Sequence, residues 1–354
     1  MTSPALPSAR SCLVLLAALT LGSLACGDDD DSSPAATTAA GGSAGQAGGA
    51  GQGGGSAGSG GAAGSSALCA GSTPEQLMGC VSSDRYRQDV EAIAVERTPD
   101  TGPWLTVQDR CATVLAGLGF TVERHAYATG VNVVGTLPGT DRADELVLLG
   151  AHYDHIDGCH GADDNATGVA AVLEAARVLA GHGWSRSLAV ACWDEEELGC
   201  LGSKAWATRA RSQGQTLQAV YNFDMIGYTD AEPYVQVPPS ELQPLFPGEY
   251  TQLENNEFRG DFVLLMHDTA SLGPAASFEK YFEKSGRIAS RLLVPGEYLK
   301  TLDEVRRSDH RSFWDRDFPA IMITDTGDSR NPGYHCKKDP DDLASLDYPF
   351  ALDV

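Results

Sequence analysis

The sequence predicts an α/β domain, on three observations. Strand-like apolar runs alternate with amphipathic helical segments along most of the chain. The runs at 146–151 and 187–193 are continuously apolar, as expected of strands covered on both faces. Segments carrying histidine or acidic residues recur where strands end, which in such folds is where side chains project from a rigid sheet into a crevice.

The elements follow in order. Residues 74–96 carry apolar positions at loose helical spacing, broken near Ser82-Ser83, and a second helix is expected over 105–118. Strands over 121–127 and 132–137, the latter stopped by Pro138-Gly139, read as a hairpin at a sheet edge. The central strand 146–151 leads through a Gly- and Asp-rich turn to a helix over 165–180. The strand 187–193 runs directly into Asp194-Glu195-Glu196-Glu197, a helix covers 203–212, and a strand over 219–223 delivers Asp224. Residues 229–260 show no clean period and read as an insertion or lid. A strand over 262–266, a helix over 275–293, a short helix opening at Ser308 and a last strand over 320–324 complete the pattern, with no long closing helix after Asp341-Asp342-Leu343.

The ends of the chain carry other signals. Arg10 precedes the apolar run 12–19, which ends in small residues at Ala25-Cys26: an export signal, too short for a membrane span. Ala25-Cys26 resembles a bacterial lipoprotein junction, so Cys26 is a candidate lipid anchor on a protein of the cell envelope, a soluble secreted enzyme being the alternative. Residues 27–67, mostly Gly, Ala and Ser with Asp28–Asp31 at the start, read as a disordered tether. The expected organisation is therefore signal 1–26, linker 27–67 and one domain over 68–354. With 48 Asp and Glu against 25 Lys and Arg, and no basic patch, nucleic acid is an unsuitable partner.

Seven cysteines follow Cys26. Cys69 with Cys80 is the natural local disulfide, and Cys192 reads equally well as core. Cys159 fits a bridge to Cys336 or to Cys200.

His152, Asp163, Glu197, Asp224 and His335 follow, or lie in loops near, successive strands. Two imidazoles and three carboxylates suit a pair of borderline divalent ions, zinc first, with cobalt or manganese as other occupants. Asp163, in the tight turn Gly161-Ala162-Asp163-Asp164, is expected to bridge them. Adjacent Glu196 and Glu197 allow one carboxylate to act as general base while the other ligates. Asp154 is placed to orient His152. His155, Asp309 and His310 are candidates for supporting or substrate contacts. Each residue alone has a bland reading, such as Glu196-Glu197 as a charge pair at a helix start, and their conjunction in order is what points to a two-metal site.

The segments AHYDH (151–155), GADDNATG (161–168), DEEELG (194–199), NFDMIG (222–227), SDHRSF (308–313) and NPGYHCKKD (331–339) resemble the successive motifs of the two-zinc aminopeptidases, a family with glutaminyl cyclase and glutamate carboxypeptidase relatives. The resemblance implies a three-layer sandwich around a central, mostly parallel mixed sheet. It implies His152 and Asp224 on one ion, Glu197 and His335 on the other, Asp163 as bridge, Glu196 as base and a non-proline cis bond at Asp163-Asp164. The implied substrates are peptides or aminoacyl compounds with a free N-terminus, acted on by a monomer. A one-zinc glutaminyl cyclase and a non-catalytic binding ectodomain are the alternatives. The family often carries a tyrosine before the SDH-like motif to stabilise the oxyanion. Here Val305, Arg306 and Arg307 stand there, leaving that part to His310, an arginine or another region.

Overall fold

The computed structural model describes residues 68–354 apart from Pro239; the expected signal, the linker and Cys26 lie outside the described residues. Nine helices are described: α1 (Pro74–Met78), α2 (Ser83–Ile93), α3 (Gly102–Gly117), α4 (Gly168–Leu179), α5 (Leu201–Ser212), α6 (Pro247–Asn255), α7 (Leu272–Phe282), α8 (His310–Trp314) and α9 (Tyr348–Asp353). The strands are β1 (Thr121–Ala126), β2 (Val131–Leu137), β3 (Arg142–His152), β4 (Arg186–Trp193), β5 (Thr216–Phe223), β6 (Phe262–His267), β7 (Ile288–Leu293) and β8 (Ala320–Thr324).

They form one sheet of order β1-β2-β4-β3-β5-β8-β6-β7. The centre is parallel, β4 and β5 flanking β3 and β8 extending from β5. Antiparallel pairs join β1 to β2, β2 to β4 and β6 to β8, while β7 lies parallel to β6. This is the mostly parallel mixed sheet flanked by helices that the sequence implies.

Alternation along the strands makes two cores. Leu149, Val190 and Ile321 pack with Val107 of α3, Val172 of α4 and Phe350 of α9 on one face. Leu148, Ala189 and Val220 pack with Trp206 of α5 and Phe313 of α8 on the other. The sheet is therefore the middle of three layers, and β3, β4, β5 and β8 present their carboxyl ends at one edge.

Two sequence expectations are corrected. The helix expected over 275–293 ends at Phe282; Gly286 takes a positive φ of 86° and the chain returns as edge strand β7. A run that must fold back onto a sheet edge needs such a left-handed residue, and glycine adopts it without Cβ strain. The expected insertion contains helix α6, started by Pro247 in its first turn. The short α9 closes the chain against Tyr86 and Ala170.

Cys69 bonds Cys80, and Cys159 bonds Cys336 rather than Cys200. Cys111, Cys192 and Cys200 are buried and lie outside the two disulfides.

Candidate metal centre

The site sits on the carboxyl edge of the central strands. His152 is the last residue of β3, and the loop from Tyr153 to Gly168 carries His155 and Asp164. The end of β4 leads into Glu196 and Glu197, β5 into Asp224, and the segment after β8 reaches His335.

Two donor clusters result. His152, Asp164 and Asp224 bring one donor atom each within 4.8 Å of one another, and so do His155, Asp164 and Glu197. His152 Nε2 lies 3.2 Å from Asp164 and 3.6 Å from Asp224. His335 Nε2 lies 3.0 Å from Glu197 and 3.4 Å from Asp164. The structure thus brings together His152, Glu197, Asp224 and His335 as expected of ligands, and adds His155.

The bridge is corrected from Asp163 to Asp164, which alone belongs to both clusters. Neighbouring side chains leave the turn in different directions. The Asp163 carboxylate turns inward, accepting from Gly227 N at 2.8 Å and Asn331 Nδ2 at 2.7 Å. It faces Asp325, and burial with that second carboxyl pushes Asp163 well above the carboxylate range. The non-proline cis bond is likewise Asp164-Asn165, one residue beyond the expected one.

The carboxylates of the clusters draw protons onto the imidazoles beside them. Burial disfavours charge on His152, yet Asp224, Asp154 and Asp164 raise it well above an ordinary histidine. Burial and Asp164 push Glu197 up, but His155 and His335 outweigh them and hold it at about 2. Asp164 Oδ1, Glu197 Oε1 and both His155 ring nitrogens are buried without hydrogen-bond partners. Unsatisfied buried donors and acceptors are costly unless something completes them. A mixed nitrogen and oxygen donor set that gathers protons in this way fits a divalent cation in each cluster.

Glu196 belongs to neither cluster and lines the same chamber. Burial raises its carboxyl well above the ordinary range; His152 opposes this, while Glu197, Asp224 and Asp309 add to it. Its Oε1 accepts from the Cys200 thiol at 3.4 Å. Asp154, the expected orienter, reaches further than His152: its Oδ1 lies 3.5 Å from His152 Nδ1, and its two oxygens accept the backbone N–H of Glu196 and Glu197 at 3.0 and 3.2 Å. One buried carboxylate therefore positions a donor of the first cluster, the second cluster's acid and the free acid.

His310 is not in the site. Its Nε2 contacts Val305 O at 2.8 Å, its ring meets Trp314 edge-on at 4.5 Å, and burial lowers its pKa to about 3. That removes it as the oxyanion group. Asp309 is fully buried near His152 and Asp224, and burial pushes it up to about 7.

Two supporting residues had no signal in the sequence. Arg97, fully buried in the loop after α2, donates to the carbonyls of Tyr153, His160, Gly161 and Asp164 at 2.8, 2.5, 2.9 and 3.0 Å. Asp341 accepts the backbone N–H of Asp163 and Asp164 at 2.9 and 3.0 Å. Both hold the bridging turn from outside the donor shell.

Beside the clusters opens a chamber of about 380 Å³. Its wall away from the clusters is largely apolar, with Phe246 and Leu253 from the insertion, Leu264 and Met266 from β6 and Met322 from β8. Arg307 is on this wall, held by Asp328 and donating to the Tyr334 hydroxyl at 3.2 Å.

An α/β sheet with two donor clusters sharing one aspartate, and a spare glutamate beside them, defines a two-metal hydrolase-type centre. The model of Peptidase family M28 matches residues 132–349, and the chain belongs to that family. A curated relative, uncharacterized protein YfbL of Escherichia coli (strain K12), is 29% identical over 56% of this chain and 60% of its own length. Leupeptin-inactivating enzyme 1 of Streptomyces exfoliatus is 30% identical over 54% of this chain and 43% of its own. The chain thus spans about half the length of these curated relatives. Among solved structures, the LapA aminopeptidase of Legionella pneumophila shares the fold with a TM-score of 0.59 at 19% identity, covering 78% of this chain and 70% of that one.

Proposed function

We propose that this protein is a zinc-dependent aminopeptidase, removing residues from the free N-terminus of peptides. The observation that carries the reading is Asp164, shared by two donor clusters, with the non-ligating Glu196 beside them. His152, Asp164 and Asp224 would hold one ion, and His155, Asp164, Glu197 and His335 the other. Ions held there supply a polarised water and a polarised scissile carbonyl.

The chain's own groups do the rest. Glu196, with its pKa raised, is suited to take a proton from the attacking water and return it to the leaving amine, since general bases work best near the operating pH. Asp154 fixes the Glu196 and Glu197 backbone so that the two carboxylates keep separate tasks. Carboxylates along the chamber, Glu249 and Glu304 among them, favour a protonated N-terminus. The apolar wall supports a preference for bulky apolar N-terminal residues, whose burial contributes about 25 cal/mol per Å².

The sequence signals support an exported enzyme, with the 68–354 domain tethered through 27–67 to a lipid anchor at Cys26. Palmitate labelling of wild type and Cys26→Ala in a bacterial host checks the anchor.

The activity is tested on a panel of aminoacyl amides with and without added zinc, alongside an N-terminal glutamine peptide. Chelator-sensitive release of leucine- or phenylalanine-type residues, abolished in Glu196→Gln, is expected. Chelator-resistant release would sink the reading, and cyclisation of the glutamine peptide without hydrolysis would replace it.

A further inference from the structure

We propose that the protein carries a second small-molecule site, a cleft between α6, α7 and edge strand β7 that takes a free α-amino acid by its ammonium and carboxylate together. The cleft lies outside both donor clusters, and only its use as a product sensor rests on the proposed function.

The cleft holds about 280 Å³, at the floor of the roughly 300–1,000 Å³ usual for ligand clefts, so its occupant is small. Its polar walls are Glu249 of α6, Glu279 of α7 and Arg291 of β7, with His267 at the end of β6.

Two buried polar atoms on these residues are unspent. His267 is 1% exposed, and its Nδ1 lies 2.9 Å from the Asp268 carbonyl oxygen. A carbonyl only accepts, so Nδ1 carries the ring proton and Nε2 of the neutral ring is left as an acceptor. That Nε2 is buried without a partner. Arg291 supplies the complement. Its Nε lies 2.6 Å from Glu279 Oε2, but the approach is too bent for a hydrogen bond, and this buried N–H is also without a partner.

Leaving a buried donor and a buried acceptor unmade is costly, and one molecule that donates at one end and accepts at the other relieves both. An α-amino acid does so. Its ammonium donates to His267 Nε2, with Glu249 and Glu279 supplying the opposite charge, and its carboxylate accepts from Arg291. Two carboxylates against one guanidinium disfavour a plain anion. Leu272 and Leu293 offer apolar surface to the side chain.

The cleft is coupled to the chamber through α6. Glu249 lines both spaces, and Leu253 of the same helix lines the chamber. No residue of α6 is fully buried, whereas α7 buries Ala275 and Phe282, so α6 is the wall that yields. A ligand that draws α6 toward β7 moves the surface on which the substrate's N-terminal residue packs. Under the proposed function the released amino acid is the ligand at hand, and it feeds back on the chamber.

The test is calorimetric titration of zinc-loaded, full-length protein with L-leucine, repeated with saturating leucine hydroxamate to fill the chamber through its zinc. One equivalent of leucine should still bind. Leucinamide, which lacks the carboxylate, and isovalerate, which lacks the ammonium, should each bind there at least about tenfold more weakly, as should leucine to Arg291→Gln. That variant should keep wild-type kcat on aminoacyl amides in the absence of leucine. Leucine should inhibit wild type in a mixed manner and Arg291→Gln competitively. Absence of leucine binding to hydroxamate-filled wild type would mean that water fills the cleft, and equal binding of isovalerate or leucinamide would mean a simple ion site; either overturns the proposal. Purely competitive inhibition of wild type overturns the coupling. Leucine binding to a protein that hydrolyses no peptide would sink the proposed function and leave the site standing.

Discussion

Asp163 and Asp164 are adjacent, chemically identical and both fully or nearly buried, yet their neighbours give them opposite tasks. Asp164 faces His152 and His335, while Asp163 faces Gly227, Asn331 and Asp325. Asp164→Asn is expected to abolish binding of both ions, measured by metal analysis, whereas Asp163→Asn keeps two ions per chain. The reverse result would return the bridge to Asp163. Glu196→Gln should bind metal normally and lose about 10²–10⁴-fold in kcat on aminoacyl amides; a loss confined to KM would remove Glu196 as the proton carrier. The candidate donors His152, Glu197, Asp224 and His335 were legible as candidates because each follows a strand or a tight loop in a fixed order. The choice within Asp163-Asp164 was not, because it depends on which way a turn of six residues rotates.

At the scale of elements, the segment 153–164 touches the sheet through Tyr153 N on Trp193 O at 2.8 Å, and four of its carbonyls are collected by Arg97. A lone arginine in a connection gives no sequence signal of this. Arg97→Met should orphan several buried carbonyls and cost about 3 kcal/mol of stability, since each unsatisfied group costs about 1–3 kcal/mol and the losses overlap. Denaturant unfolding checks this; a change under about 0.5 kcal/mol, the size of an ordinary surface substitution, would show the loop to be held by other contacts. The strands with continuous apolar runs were read correctly from pattern alone. Edge strand β7 was not, because Ile288–Leu293 is half-exposed and joins the helical apolar pattern of α7 across Gly286. The helix α6 escaped notice for a related reason: none of its residues is fully buried, so it lacks a marked apolar stripe.

For the whole molecule, part of the acid is buried, and there it is costly. Burial raises Asp194, Asp309 and Asp341 to about 7 each, above the ordinary 3.8 of the unfolded chain. The native state therefore binds more protons than the unfolded state between about pH 4 and 7, and stability of the metal-free protein falls as pH rises through that window. Bound zinc places positive charge among these carboxyls and lowers their pKa values, which opposes the fall. Thermal melts from pH 4 to 8 should show a declining Tm for chelated protein and a flatter profile with zinc. Parallel profiles with and without zinc would mean that the ions do not act on these groups.

By itself the sequence determined the α/β class, the order of the central strands along the chain and the residue types at their carboxyl ends, because apolar period and strand-end chemistry are local properties. The tertiary structure decided which aspartate lies in both donor clusters, that His155 joins the second cluster, that Cys159 bonds Cys336 and that the insertion walls an apolar chamber. Those outcomes depend on the directions in which neighbouring side chains leave a turn and on distances between segments up to 177 residues apart, and no local pattern encodes either.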